Sequence, residues 1–331
     1  MEAVALGELL IDFMPHGESG KGQPLFECNP GGAPANVLAA LAKLGHKTAL
    51  VGAVGNDAFG EFLRDTLRGG GVDVGHLKGT DEAQTTLAFV HLDPGGDRSF
   101  TFYRKPGADY MLRSEDVDRE LIASANIFHF GSISMTHEPA RTATLETAAY
   151  AREMGVLVSY DPNLRMSLWH DAEHAREAIV EGMRYADVVK LSEEELLFLT
   201  GTDDLDEGSR RLMGRFGDIR LLLVTLGPDG SYCRTVATAG DGGLTARHAG
   251  FKVRTVDTTG SGDAFFGGVL HKLLGEMKGL AQTWTEEKLL GMLAFANAMG
   301  ALTATGKGAI PSLPTLEQAE TLATKWNEQG V

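Results

Sequence analysis

Residues 257 to 268 read DTTGSGDAFFGG. Asp263 stands directly after Gly260, Ser261 and Gly262 and directly before an apolar, helix-like run, AFFGGVLHKLL. Backbone N–H groups at a glycine-rich turn that opens a helix point outward without partners, and with the helix dipole they favour an anion. A carboxylate is out of place beside an anion unless it acts on a second reactant. Asp263 is therefore expected to take the proton of an attacking hydroxyl while the turn holds the oxygens of a phosphoryl group. The plain alternative is a helix start with an acidic residue in its first turn. The chain has no GxxxxGK[ST] motif, and Phe265 occupies the third glycine position of GxGxxG, so a P-loop enzyme and a dinucleotide-binding dehydrogenase are both disfavoured.

Outward from this stretch, strand-like apolar runs alternate with helix-like ones. VALGELLIDF is followed by APANVLAALAKLG, TALVGAVG and AFGEFLRDTLRGGG, and later by ANIFHFGSIS, EPARTATLETAAYAREMG, VLVSYDPN, AREAIVEGMRYA, DVVKLS and IRLLLVTLG. Such alternation predicts a mainly parallel sheet covered by helices, with VALGELLIDF as the opening buried strand. Residues 15–30 and 83–106 break the rhythm. The second segment carries TTLAFVHLD and RSFTFYR around the turn PGGD, which predicts a β-hairpin. Together they are read as a small lid inserted in one domain that spans residues 1–331. Ligands of open parallel sheets bind beyond the carboxyl ends of the strands, so the polar residues after each strand are the candidates for one large site.

The net charge of −15 disfavours a broad grip on nucleic acid or on an anionic membrane, both of which need basic faces. Two cysteines, Cys28 and Cys233, are too few for a disulfide framework, and Asn-x-Ser/Thr does not occur, which points to a reducing, cytoplasmic home. The opening MEAVALGELLIDFMP contains Glu8 and Asp12 and lacks a basic leader, so it reads as a strand rather than as a signal peptide or span. HDAEH sets His170 and His174 four residues apart, which reads as a solvated helix start rather than a zinc site.

DTTGSGDAFFGG and NPGGAPANVLAALAKLG resemble the carboxy-terminal and amino-terminal signatures of the ribokinase/PfkB carbohydrate kinases. Within that family, FYRKPGADYML, FHFGSIS, SYDPNLRMSLW and DVVKLSEEELLFLTG are similar to the fructokinase branch, and the likeness runs from about Gly7 to Pro314. The resemblance implies a ribokinase-like three-layer αβα sandwich with a small β lid. It also implies ATP-dependent phosphorylation of a sugar, foremost the 6-hydroxyl of fructose. In such kinases the aspartate matching Asp263 is the base, and the amides of Gly260, Ser261 and Gly262 form the anion hole. The family usually has alanine where Ser261 stands.

The same resemblance assigns the remaining positions. Asp12, Gly31, Gly32 and Asn36 match the sugar-binding strand and loop, although alone Asp12 reads as a buried satisfied carboxylate and the loop as a turn. Asn163 and Arg165 of DPNLR, with Phe102 and Arg104 near Asp109 by the lid hairpin, are expected on the sugar side. Lys190, Thr225, Gly227, Gly230 and Asn297 are assigned to ATP, although TLGPDG alone is a hairpin turn. Glu195 is expected near Mg2+ through water, whereas Ser192 and Glu195 by themselves have the spacing of a helix capping box. Asp257, Thr259, Thr303, Gly306, Gly308 and Ser312 match two loops that hold K+ in family members it activates. A homodimer through the lid is the expected assembly, because an exposed hairpin edge invites pairing. Two rivals stand beside this reading: a 2-keto-3-deoxygluconate kinase of the same family, and a non-catalytic descendant that senses sugar or binds a partner.

Overall fold

The computed structural model describes residues 1–92, 98–236, 243–275 and 284–328. The strands in chain order are β1 (Ala3–Leu6), β2 (Leu10–Glu18), β3 (Pro24–Gly31), β4 (Thr48–Gly55), β5 (Val72–Asp73), β6 (Leu77–Thr80), β7 (Leu87–Leu92), β8 (Arg98–Tyr103), β9 (Ile127–Gly131), β10 (Leu157–Asp161), β11 (Val188–Ser192), β12 (Leu221–Thr225), β13 (Ser231–Thr235) and β14 (Thr245–His248). The α-helices are α1 (Ala33–Lys43), α2 (Ala58–Gly69), α3 (Arg119–Ala123), α4 (Ala140–Glu153), α5 (Ala172–Met183), α6 (Glu193–Thr200), α7 (Leu205–Arg215), α8 (Ser261–Leu274), α9 (Glu286–Thr303) and α10 (Leu316–Glu328).

β12, β11, β10, β9, β1, β4 and β5 lie side by side in that order, all parallel, and β13 and β14 extend the sheet antiparallel beyond β12. Helices on both faces bury these strands from two sides, so they read as continuous apolar runs such as IFHFG in β9 and LLLVT in β12. Leu38 of α1, Phe266 of α8 and Phe295 of α9 pack in one layer, and Ala148 of α4, Ile179 of α5 and Leu196 of α6 in the other. The result is the expected three-layer order. The chain passes from β1 to β4 on one side and later to β9 on the other, and this reversal opens a crevice at the carboxyl ends of the strands.

VALGELLIDF, expected as one strand, is two strands in two sheets. β1 ends at Leu6 and β2 begins at Leu10, paired with β3 and β7. Gly7 is where the chain leaves the main sheet, and the space there is tight: a Cβ on Gly7 would lie 2.4 Å from Pro34 Cγ. Asp12 accordingly lies inside β2 rather than after a first strand.

The smaller sheet has the order β3, β2, β7, β8, and it begins at Leu10 rather than near residue 15. The PGGD turn, residues 94–97, lies outside the described residues. Cross-strand register sets Asp12 beside Ala88 and Ala88 beside Phe102 on one face, and Phe13 beside Phe89 on the other. The second face carries an aromatic cluster. Phe13 stacks on Phe89 at 4.8 Å, Phe26 and Tyr103 meet Phe89 edge-on at 5.4 and 5.5 Å, and Phe26 and Tyr103 are 42% and 64% exposed. Among the described residues no helix is long and apolar enough to cross a membrane.

Candidate active site

Two cavities meet at the start of α8. A cleft of about 600 Å³ lies under the lid and is lined by Asp12, Asn36, Phe102, Asn163, Arg165 and Asp263 among others. A second cavity of about 470 Å³ is lined by Thr225, Gly227, Gly230, Phe265 and Asn297 among others. Thr225, Thr258 and Gly262 belong to both walls, so the cavities adjoin at the glycine turn.

Gly260 takes up a left-handed conformation, φ 75°, and a Cβ on it would lie 2.3 Å from the Ala309 Cβ; both facts require glycine. No side chain caps α8, which leaves its first amides for a ligand. The expected set of three donors is altered in one respect: the Ser261 amide donates to the Thr258 carbonyl at 3.2 Å, and the amides of Gly260 and Gly262 remain open among the described residues. The Ser261 hydroxyl is buried without a hydrogen-bond partner.

Asp263, in the first turn of α8, is buried and accepts hydrogen bonds from Asn36 Nδ2 at 2.8 Å and Asn163 Nδ2 at 3.2 Å. Burial pushes its carboxyl above the ordinary range, and Asn36, Lys190, Arg165 and Asn163 oppose the shift. Asn163 reaches Asp263 from a left-handed backbone, φ 50°, a conformation in which asparagine is enriched. Asn36 is fixed by the loop ahead of α1. A Cβ on Gly31 would lie 2.1 Å from Asp12 Oδ2, and one on Gly32 would lie 2.3 Å from the Glu8 carbonyl. The Asn36 Oδ1 is a buried acceptor without a partner. Asp12 faces the same cleft, and burial pushes its carboxyl up to about 7, against the pull of Arg165.

The two expected arginines differ. The Arg165 guanidinium donates to the Leu164 carbonyl at 3.2 Å and lies 5.9 Å over the Phe100 ring, at the cleft wall. Arg104 is fully buried in an ion pair with Asp109 and also donates to Thr136 Oγ1 and the Ile133 carbonyl, at 3.0 and 3.1 Å. Its guanidinium is thus consumed at the root of the lid and does not line the cleft, contrary to the sugar-side expectation. Phe102 does line it. Lys190, expected on the nucleotide side, lines the sugar cleft beside Gly262, at the junction of the two cavities.

Ser192 and Glu195 form a complete capping box at the start of α6. Glu195 Oε2 accepts from the Ser192 amide at 2.8 Å and Oε1 from the Leu164 amide at 2.6 Å. Both oxygens therefore serve amides, and their remaining lone pairs suit a water of a Mg2+ ion rather than the ion itself. Glu194, exposed on the same turn, also lines the cleft.

The two loops proposed for K+ clasp each other. Asp257 is buried, Oδ1 accepting from the Thr259 amide and Oδ2 from the Gly308 amide, both at 2.8 Å. The amides of Val256 and Asp257 reach the Ala304 carbonyl at 2.8 and 3.2 Å. The hydroxyls of Thr303 and Ser312 donate to the carbonyls of Met299 and Lys307, both at 2.9 Å, and a Cβ on Gly306 would meet Ser312 Oγ. What this loop pair offers a cation is one carboxylate and backbone carbonyls, an oxygen set that fits a large monovalent ion.

The TLGPDG segment connects the antiparallel strands β12 and β13, as a hairpin turn does, and Thr225, Gly227 and Gly230 line the second cavity. Asn297 lines that cavity with its amide on His248 Nδ1 at 3.0 Å. Sequence reasoning missed Phe251, Lys252, Val253 and Thr255 in this wall, which carry no motif, and Glu8 in the cleft, whose Oε1 accepts from the Ala33 amide at 2.9 Å. At HDAEH, Asp171 caps α5 and accepts from the His174 amide at 2.9 Å; both histidine rings turn their Nδ1 to it, and all three residues are exposed.

Residues 2–316 match the model of the pfkB family of carbohydrate kinases. Fructokinase-1 of Zea mays is 47% identical over 321 residues, 96% of each chain. In three dimensions the fructokinase of Xylella fastidiosa with bound ATP superposes with a TM-score of 0.86 at 34% identity, covering 98% of this chain and 99% of that one. The fructokinase of Vibrio cholerae, a double mutant with fructose, ADP and a potassium ion bound, gives a TM-score of 0.83 at 36% identity over 98% of both chains.

Proposed function

The chain belongs to the pfkB family of carbohydrate kinases, and from that premise we propose that it transfers the γ-phosphoryl group of ATP to the 6-hydroxyl of D-fructose, giving fructose 6-phosphate and ADP. The observation that carries the reading is the junction of two cavities at Gly260–Asp263, with open amides and a buried carboxylate at the shared wall. The sugar lies under the lid, where Asp12, the unpartnered Asn36 Oδ1 and Arg165 offer polar partners to a polyol, and Phe102 forms an apolar wall. ATP lies in the second cavity, among Thr225, Gly227, Gly230 and Asn297.

Asp263 takes the proton of the 6-hydroxyl as its oxygen forms the new bond to the γ-phosphorus. The bond from that phosphorus to the β–γ bridging oxygen breaks, and ADP leaves with the electron pair. The Gly260 and Gly262 amides hold the phosphoryl oxygens. Asn36 and Asn163 keep the carboxylate aimed. Glu195 would hold Mg2+ through a water, and the loops of Asp257 and Gly308 would hold K+; when bound, the first ion would supply charge neutralisation on the phosphates and the second would order the turn before α8.

Asp263→Ala should lower kcat by about 10² to 10⁴-fold, with a modest change in KM. Near-normal turnover would remove Asp263 as the base. A panel of fructose, 2-keto-3-deoxygluconate, ribose and adenosine, ranked by kcat/KM, decides the sugar, and the acidic sugar leading would install the rival kinase reading. At fixed ionic strength the rate should rise with K+ and not with Na+; equal rates would remove the cation from the loops. The scarcity of cysteine supports a cytoplasmic home, and the exposed aromatic face of the lid supports a homodimer through it.

A further inference from the structure

We propose that Asp109 is a positioning residue that sets sugar specificity: it locks the Arg104 guanidinium behind the cleft wall, so that the cleft takes an uncharged ketose and refuses a sugar acid. The proposal rests on the sugar-kinase reading and names the class of sugar that the same site excludes.

Arg104 directly follows β8, the last strand of the lid, and Asp109 lies five residues on, in a 3₁₀-helical turn (Ala108–Met111). Both side chains are 2% exposed. Nε and Nη2 of Arg104 donate to Asp109 Oδ2, the first at 2.8 Å, and Thr86 Oγ1 donates to Asp109 Oδ1 at 2.5 Å. The Tyr110 ring covers the guanidinium at 4.2 Å. A Cβ on Gly107 would lie 2.2 Å from Thr86 Oγ1 and 2.6 Å from both Arg104 Cγ and Asp109 Oδ1, so the knot occupies the space a side chain would need. A buried ion pair adds little stability, because desolvation offsets most of its attraction. What the pair does decide is where the cation can act.

The guanidinium stands directly behind the cleft wall. Its Nη2 donates to the Ile133 carbonyl at 3.1 Å, and Ile133 lines the cleft. Glu8 lines it too: burial pushes its carboxyl up to about 7, and its own amide, the Ala33 amide and the charge of Arg104 oppose the shift. The rest of the wall is acidic, with Asp12, Glu194, Glu195 and Asp263; its cations are Arg165 and Lys190, and Lys190 donates to Asp161 at 2.9 Å. Fructose and 2-keto-3-deoxygluconate both carry a 6-hydroxyl, but C1 is a hydroxymethyl in the first and a carboxylate in the second. With the 6-hydroxyl on Asp263, that carboxylate lies at the far end of the sugar, where it needs a cation facing the cleft. Asp109 cancels the charge of Arg104, and Asp109, Thr136 and Ile133 take the donors of all three guanidinium nitrogens. An acid sugar therefore meets carboxylates without a counter-charge, the repulsive element that specificity needs.

Asp109→Asn keeps an acceptor for Thr86 and turns an amide N–H against the guanidinium, which releases Arg104 towards the cleft. In this variant kcat/KM for 2-keto-3-deoxygluconate, relative to fructose, should rise about tenfold or more, while that for ribose, an uncharged sugar, should stay within about threefold. An unmoved acid ratio would overturn the proposal, and an equal gain for ribose would overturn it in favour of a loosened wall. If the variant does not fold, Arg104→Met with Asp109→Leu decides, since it leaves no unpaired buried charge. Wild-type kcat/KM for the acid in the double variant supports the proposal, because Arg104 was already withheld; a fall of about tenfold refutes it, because the acid was then using Arg104. A wild type that takes the acid as readily as fructose would overturn the ketose reading together with this proposal, whereas fructose preference with a silent Asp109→Asn overturns this proposal alone.

Discussion

Asp12 is a carboxylate whose state the cleft controls. Its folded pKa is raised from 3.8 to about 7, chiefly by burial. Between those values the folded chain holds a proton that the unfolded chain releases, so the contribution of Asp12 to stability is present at low pH and is lost as pH rises through about 7. Denaturant unfolding of the wild type and of Asp12→Asn, compared from about pH 5 to about pH 8, should show the variant gaining relative stability with pH. Parallel profiles would mean that the carboxyl is not perturbed. Fructose affinity should move the other way in the wild type, improving with pH as the ionised acceptor forms. At this scale the sequence was legible wherever a motif fixes a backbone, as at Gly31, Gly32 and Gly260, where a β-carbon would collide with Asp12, Glu8 or Ala309. It was illegible where partners are distant in the chain. Nothing near Arg104 says whether its guanidinium faces a sugar or Asp109, and nothing near Lys190 announces Asp161, 29 residues away.

Helix α6 carries two duties on one carboxylate. Glu195 closes the capping box with Ser192 and also holds the Leu164 amide, which belongs to the loop that presents Asn163 and Arg165. Ser192→Ala should cost about 1 kcal/mol of stability, as loss of an N-cap does. Because the same carboxylate steadies the sugar loop, fructose KM should rise while ATP KM stays level. Denaturant titration and steady-state kinetics measure the two effects, and an equal rise in both KM values would show that the cap reaches the whole site rather than the loop. The capping box was readable from spacing, since four consecutive residues contain both partners. The split of VALGELLIDF was not, because an apolar run gives no sign that the chain changes sheets. At the break Gly7 leaves no room for a side chain against Pro34, a neighbour 27 residues away that only the folded chain brings there.

For the molecule as a whole, the lid has two chemically different faces. One face places Asp12 and Phe102 over the cleft, and the other exposes Phe26 and Tyr103 around Phe89. A second copy of the chain would cover that face, and sedimentation should report a dimer that Phe26→Glu with Tyr103→Glu converts to monomer; a wild-type monomer at all concentrations would dismiss the assembly. Strand alternation and the hairpin were enough to anticipate both the layers and the lid, whereas the adjoining of two cavities depends on how distant loops meet.

The bond between Asn36 and Asp263 spans 227 residues. A ribosome adding about 5 to 20 residues per second needs roughly 10 to 45 s to make the second partner after the first. Through that interval the nascent chain carries its sugar loop without a base or an anion hole. A growing polypeptide therefore has no means of splitting ATP, and the capacity for phosphotransfer arrives late in synthesis, when α8 docks on α1.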